Sequence, residues 1–207
     1  MILCLVTDRR RFATSERGLL DQVQHAADAG VDVVQVRERD LEAGALADLV
    51  GRIVHVTRGS RTRVLVNDRV DVALAAGADG VHLRHDSLAV GAARQLAAPG
   101  WLIGRSVHST EELQAAGGAD YVIAGTVLGT SSKGADIRLL GLDGLRTLVS
   151  ASPAPVLAIG GITLERVGDV AAAGAAGVAA IGLFLQDGLK DLVADVRRRF
   201  DSVKSAS

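Results

Sequence analysis

Four stretches of the chain repeat one pattern: Ala29-Gly30-Val31-Asp32, Ala76-Gly77-Ala78-Asp79-Gly80-Val81, Gly117-Gly118-Ala119-Asp120-Tyr121-Val122 and Ala173-Gly174-Ala175-Ala176-Gly177-Val178. Each closes a segment of helical spacing and opens an apolar, strand-like one. Glycine suits the left-handed position that ends a helix. Gly30, Gly77, Gly118 and Gly174 stand 47, 41 and 56 residues apart, and each interval has room for two strand–helix units. The motif therefore marks every second unit, and four pairs make eight. That arithmetic favours a single (β/α)8 TIM barrel over an open doubly wound sheet, with 207 residues at the short end of the usual ~200 to 400.

The segments between the repeats agree. Eight short apolar runs read as strands: Ile2–Thr7, Val31–Arg37, Val64–Asn67, Gly80–Leu83, Trp101–Val107, Tyr121–Ala124, Val156–Ile159 and Val178–Ile181. They are nearly continuous in apolar character, as expected of parallel strands covered on both faces. Helical spacing appears between them, as in Leu19-Leu20-Val23-Ala26-Ala27 and Leu189-Leu192-Val193-Val196. Aromatic residues make up only 2% of the chain, so the core must be aliphatic. No linker or second domain is visible across residues 1–207, and 202–207 is a candidate disordered tail.

Composition narrows the function classes. The 23 Lys and Arg nearly balance 24 Asp and Glu, and no basic stripe of nucleic-acid type appears. The triplets Arg9-Arg10-Arg11 and Arg197-Arg198-Arg199 read as a solvated loop and a solvated helix C-terminus. The single cysteine, Cys4, lies in an apolar run and reads as a small buried hydrophobe. No segment reaches the ~18 apolar residues of a membrane span, and no signal-peptide pattern opens the chain. A cytoplasmic protein without nucleic-acid or membrane partners is the expectation.

In a barrel of this kind the chemistry gathers at the carboxyl ends of the strands. Those positions hold Asp8, then Gln35, Arg37 and Arg39, then Asn67 and Asp68, then His82, Arg84, His85 and Asp86. Ser106 and His108 end the fifth strand, Thr130, Ser132 and Lys133 follow the sixth, Gly160-Gly161 the seventh and Gly182 the eighth. Gln35 and Arg37 share one side-chain parity, toward the barrel axis. A buried arginine there requires an anion, supplied by a ligand or by Asp68 or Asp8. Gly160-Gly161, ahead of a helix expected near Thr163, is either a phosphate site with Gly182 opposite or a plain turn. His82, in an apolar strand, reads as a packing or hydrogen-bonding residue, and His85 as a loop residue. His108 has the chemistry of a general acid or base.

These motifs, in order, resemble the thiamine-phosphate synthase superfamily: Leu5-Val6-Thr7-Asp8, Val34-Gln35-Val36-Arg37-Glu38-Arg39-Asp40, Asn67-Asp68-Arg69-Val70-Asp71, Ala78-Asp79-Gly80-Val81-His82-Leu83, Ile103-Gly104-Arg105-Ser106-Val107-His108-Ser109, Gly125-Thr126-Val127 and Ala158-Ile159-Gly160-Gly161-Ile162. The resemblance implies a (β/α)8 barrel and one of two activities. The synthase branch joins a pyrimidine pyrophosphate to a thiazole phosphate with Mg2+ held by two acidic residues. Asp68 matches the first of these, but Ser87 stands at the second and Arg39 replaces a lysine.

The tautomerase branch is similar around Ile103–Ser109, where His108 matches its proton-transfer residue. The expectation is therefore a metal-free thiazole tautomerase acting on a phosphorylated thiazole, with no cofactor. His108 would be catalytic, and Gln35, Arg37, Arg39, Asn67, Ser106, Thr130, Ser132 and Lys133 would bind substrate. Gly160, Gly161 and Gly182 would hold the phosphate. The alternatives are the Mg2+-dependent synthase, with Asp68 on the metal, and a non-catalytic phosphate-ligand binder. Relatives of this kind also imply a homo-oligomer, a dimer or larger.

Overall fold

The computed structural model describes residues 1–12, 16–129 and 139–204. Strand and helix alternate throughout: β1 (Ile2–Val6), α1 (Glu16–Asp28), β2 (Val33–Val36), α2 (Ala43–Val56), β3 (Arg63–Asn67), α3 (Val70–Ala75), β4 (Gly80–Leu83) and α4 (Val90–Leu96). The second half continues with β5 (Leu102–Val107), α5 (Thr110–Ala115), β6 (Tyr121–Gly125), α6 (Gly141–Ala151), β7 (Val156–Ile159), α7 (Val167–Ala172), β8 (Gly177–Ala180) and α8 (Leu189–Lys204). The eight strands form one closed parallel barrel in chain order, with β8 paired to β1. The fold is the single (β/α)8 barrel that the repeat implied.

Side-chain parity divides the core in two. Cys4, Val6, Val33, Leu65, Tyr121, Ile123, Leu157 and Ala179 fill the barrel interior. Leu3, Leu5, Val34, Val36, Val64 and Val66 face outward into the layer shared with the helices. Because both faces are covered, the strands carry the continuous apolar runs seen in the sequence. Cys4 is fully buried, and burial pushes its thiol up to about 12, so it packs as an inert hydrophobe.

The repeated motif has two structural jobs. Its glycines Gly30, Gly77, Gly118 and Gly174 all have positive φ, between 67° and 90°. At three of them the helix closes with a Schellman bond, from Val31 N to Ala26 O (3.0 Å), Ala78 N to Ala73 O (3.0 Å) and Ala175 N to Val170 O (3.3 Å). Its aspartates bind backbone on the neighbouring strand. Asp32 accepts the Leu3 N–H, Asp79 the Val64 N–H and Asp120 the Ile103 N–H, at 2.7–2.8 Å. These clamps sit at the amino ends of the strands, the face concerned with stability. The fourth repeat has Ala176 in place of the aspartate; its carbonyl accepts the Ile2 N–H, as the Asp32 and Asp79 carbonyls accept those of Arg63 and Leu102.

Several local expectations are corrected. β2 starts at Val33, since Val31 is held in the helix-closing bond. β8 runs from Gly177 to Ala180 and is followed by a 3-10 turn at Gly182–Phe184. α8 extends to Lys204, so the first residues of the expected tail are helical. The arginine triplets are not simply solvated. Arg9 pairs with Glu38 and Asp40, while Arg197 bonds Asp32 and the carbonyls of Met1 and Gly30, tying α8 to the barrel floor. No helix among the described residues is long and apolar enough to cross a membrane.

Candidate functional site

A cavity of about 740 Å³ opens at the carboxyl ends of the strands. Gln35, Arg37, Arg39, Asn67, Ser106, His108, Gly160, Gly161 and Gly182 all line it. Thr130, Ser132 and Lys133 lie outside the described residues. Arg11 and Arg84 line the cavity too and were not singled out as binding residues from sequence. Their only sequence signal was position, directly after β1 and β4.

The cavity floor is a neutral polar chain. His82 is 1% exposed, with Nδ1 3.1 Å from the Tyr121 hydroxyl and Nε2 2.9 Å from Ser106 Oγ. Burial, reinforced by the charges of Arg105 and Arg37, pulls its imidazole down to about 3. It is thus neutral at physiological pH, the hydrogen-bonding residue expected from its strand. Beside it the Gln35 amide donates to Asn67 Oδ1 at 2.9 Å. Gln35 Oε1 is buried without a hydrogen-bond partner among the described residues, an acceptor left open to a ligand.

One wall is cationic. Arg37 continues the inward parity of Gln35 and is half-buried. Desolvation, then the like charge of Arg39, lowers its guanidinium below the usual arginine range. Neither of the carboxylates considered as its partner pairs with it. Asp8 is taken by Arg10 and Arg11, and Asp68 faces Arg84 at 3.8 Å. Among the described residues the Arg37 side chain has no hydrogen-bond or ion-pair partner. A half-buried cation in that condition is a receptor for an anionic ligand.

The opposite wall is backbone. In a closed eight-strand order β7 stands across from β3, whose two neighbours, β2 and β4, are followed by Arg37 and Arg39 and by Arg84. Gly160 and Gly161 have φ of 103° and 63°, conformations that favour glycine. A Cβ at Gly160 would collide with Thr126, and one at Gly161 with the Gly129 carbonyl. The helix that follows is displaced from the expected position. Thr163 to Arg166 form a turn, closed by Arg166 N to Thr163 O at 3.0 Å, and α7 starts only at Val167. An anion here would meet the glycine backbone rather than a long helix N-terminus. Gly182 lines the same wall with open space around it.

The β3 and β4 loops bring two carboxylates to the rim. Asp68 has φ of 65°, a left-handed conformation that aspartate tolerates better than most residues. Asp86 is gripped by Arg84 at 2.9 and 2.5 Å. Ser87, which stands where the synthase pattern has its second acidic ligand, has a buried Oγ with no hydrogen-bond partner among the described residues. Buried Arg105 fastens this loop by donating to the carbonyls of Leu88 (2.6 Å) and His85 (2.8 Å). Arg105 has the parity opposite to Ser106 and His108, so it faces away from the cavity. His108 sits at the exposed rim, with Nδ1 3.0 Å from Glu112 Oε2 and its ring edge-on to His85.

The profile of the family described as "Thiamine monophosphate synthase" matches residues 3–184. A thiamine-phosphate synthase of Azorhizobium caulinodans is 42% identical over 181 residues, 86% of this chain and 84% of that protein. One of Roseiflexus castenholzii is 41% identical over 182 residues, 87% and 79% of the two chains. The solved thiamine phosphate pyrophosphorylase of Pyrococcus furiosus superposes with a TM-score of 0.83 at 33% identity, over 98% of this chain and 96% of that one. These matches overturn the tautomerase expectation. The relatives carry the name of the joining enzyme, not of an isomerase.

Proposed function

The chain belongs to the thiamine monophosphate synthase family, and from that premise we propose that it is a transferase joining a pyrimidine pyrophosphate to a thiazole phosphate. The bond between the pyrimidine-bearing carbon and the pyrophosphate oxygen breaks, the thiazole takes that carbon, and pyrophosphate leaves. Such a reaction asks for two anion sites in one cavity with an uncharged heterocycle pocket between them. The observation that carries the reading is Arg37, half-buried and without a partner among the described residues, in the same cavity as Gly160-Gly161.

The residues divide as follows. Arg37 and Arg39 receive the pyrophosphate and stabilise the charge that grows on it as it departs. The backbone of Gly160 and Gly161, with Gly182, receives the thiazole phosphate. Gln35 Oε1 accepts from a donor on a heterocycle, and Asn67 holds the Gln35 amide in place. His82 and Ser106 form a floor that offers hydrogen bonds without adding charge. Anchoring both substrates by their phosphates sets the reacting atoms together, a contribution that reaches several kcal/mol in well-oriented systems.

The donor set is compatible with Mg2+. A magnesium ion commonly binds through one or two carboxylates, substrate phosphates and retained waters. Asp68 would supply the carboxylate, and the ion would add charge neutralisation at the leaving pyrophosphate. Asp86 is engaged by Arg84 and is not counted in the set.

The test is to incubate the protein with both precursors and Mg2+ and measure released pyrophosphate together with the joined product. Stoichiometric appearance of both supports the reading. Absence of both, with each precursor bound, would leave a phosphate-ligand binder in its place.

A further inference from the structure

Outside the roles just assigned, three side chains converge at the cavity rim: His85 from the loop after β4, His108 from the end of β5 and Glu112 from the first turns of α5. One ligand-type atom from each lies within 4.8 Å of the others. The rings of His85 and His108 meet edge to face with centroids 4.7 Å apart. We propose that these residues form a binding site for a borderline divalent transition ion such as Zn2+ or Co2+, separate from the Asp68 position.

The donor chemistry selects that class of ion. Two imidazoles and a carboxylate suit Zn2+, whereas Mg2+ and Ca2+ take oxygen ligands. Three protein ligands leave a coordination position open to water or an anionic oxygen. Across a tetrahedral ion with bonds near 2.0–2.1 Å, neighbouring ligand atoms stand about 3.3 Å apart. His108 Nδ1 and Glu112 Oε2 are already 3.0 Å apart. His85 and His108 are exposed and Glu112 is half-exposed, so small side-chain rotations suffice to close the remaining distance.

The framework around the donors is ordered before any ion arrives. The Glu112 carboxylate accepts the His108 backbone N–H at 2.7 Å, which orients it toward the ring. Arg105 holds the His85 carbonyl at 2.8 Å and fixes the loop that carries this ligand. An ion bound here would clip the β4 and β5 loops together beside Arg84.

The test is a Co2+ titration of the full chain in excess Mg2+, followed by visible absorption, with Zn2+ then added to displace the signal. One equivalent should develop the intense band of a low-coordinate Co2+ site. His85→Ala, His108→Ala and Glu112→Gln should each weaken binding at least tenfold, while His25→Ala, far along the sequence on α1, should not. Zn2+ should raise the melting temperature of the parent protein and not of the three variants. The three side chains are at least partly exposed, and circular dichroism melts without metal verify that each variant is folded. No band, or a band that persists unchanged in all three variants, overturns the proposal. Neither result depends on the transferase reaction.

Discussion

Arg84 holds Asp86 in a two-point grip, Nε to Oδ1 at 2.9 Å and the terminal nitrogen to Oδ2 at 2.5 Å, and so removes that carboxylate from the divalent-ion chemistry of the cavity. The guanidinium keeps Asp86 below the usual carboxylate range. Asp68 then becomes the acidic group of the β3 and β4 loops that can serve Mg2+. Asp68→Asn should abolish the Mg2+ enhancement of pyrophosphate binding, and Asp86→Asn should leave most of it. Calorimetric titration of pyrophosphate with and without Mg2+ separates the two; equal behaviour of both variants would contradict this assignment.

Arg37 should trade stability against binding. Its guanidinium is half-buried with no partner among the described residues, and desolvation lowers its pKa. Arg37→Gln should leave the melting temperature unchanged or raise it, because it removes an uncompensated charge. The same change should weaken pyrophosphate binding by about 2 kcal/mol or more, roughly 30-fold. A destabilised variant with normal affinity would show that Arg37 serves the fold instead.

Gly161→Ala should harm the opposite wall. Its φ of 63° and the collision with Gly129 predict a loss of about 1 kcal/mol or more in stability. Affinity for the phosphorylated thiazole should fall, while pyrophosphate affinity stays near that of the parent. Measuring both ligands in one variant distinguishes a local effect at the glycine pair from general collapse of the cavity.

His82 couples stability to pH. Its folded value of about 3 lies below the ordinary histidine value of 6.5, so between those limits the unfolded chain binds a proton that the native state does not. The associated stability is complete above pH 6.5 and is lost as pH falls toward 3, by up to about 1.4 kcal/mol per pH unit. Urea midpoints from pH 7 to pH 4 should fall less steeply in His82→Asn than in the parent. Parallel slopes would remove His82 from the acid sensitivity.

The clamps on the far face make a contrasting prediction. Asp120 accepts the Ile103 N–H at 2.7 Å and an Arg94 guanidinium nitrogen at 2.8 Å. Asp120→Ala should cost about 1–3 kcal/mol of stability through the lost charge-assisted bonds. Below the melting transition, pyrophosphate affinity and turnover should be unchanged. An altered Kd at full folding would mean that the clamp also positions the cavity.

The four Gly-Ala-Asp-like repeats were sufficient to read the barrel, because helix closure and strand onset are local events encoded over five or six residues. Inward parity likewise placed Gln35 and Arg37 correctly, since alternation along a strand is a property of the backbone alone. Comparison across whole chains favours the synthase over the tautomerase that the local motif around His108 suggested. Pairing was the part that required the tertiary structure. Whether Arg37 had a carboxylate partner depended on Asp8 turning to Arg10 and Arg11 and on Asp68 turning to Arg84, contacts set by loops from different strands. The lowered pKa of His82 depended on burial beneath the cavity, and the meeting of His85, His108 and Glu112 on two loops fixed side by side. Electrostatics and ligand geometry act through space, across residues whose separation in the chain gives no measure of their distance in the fold.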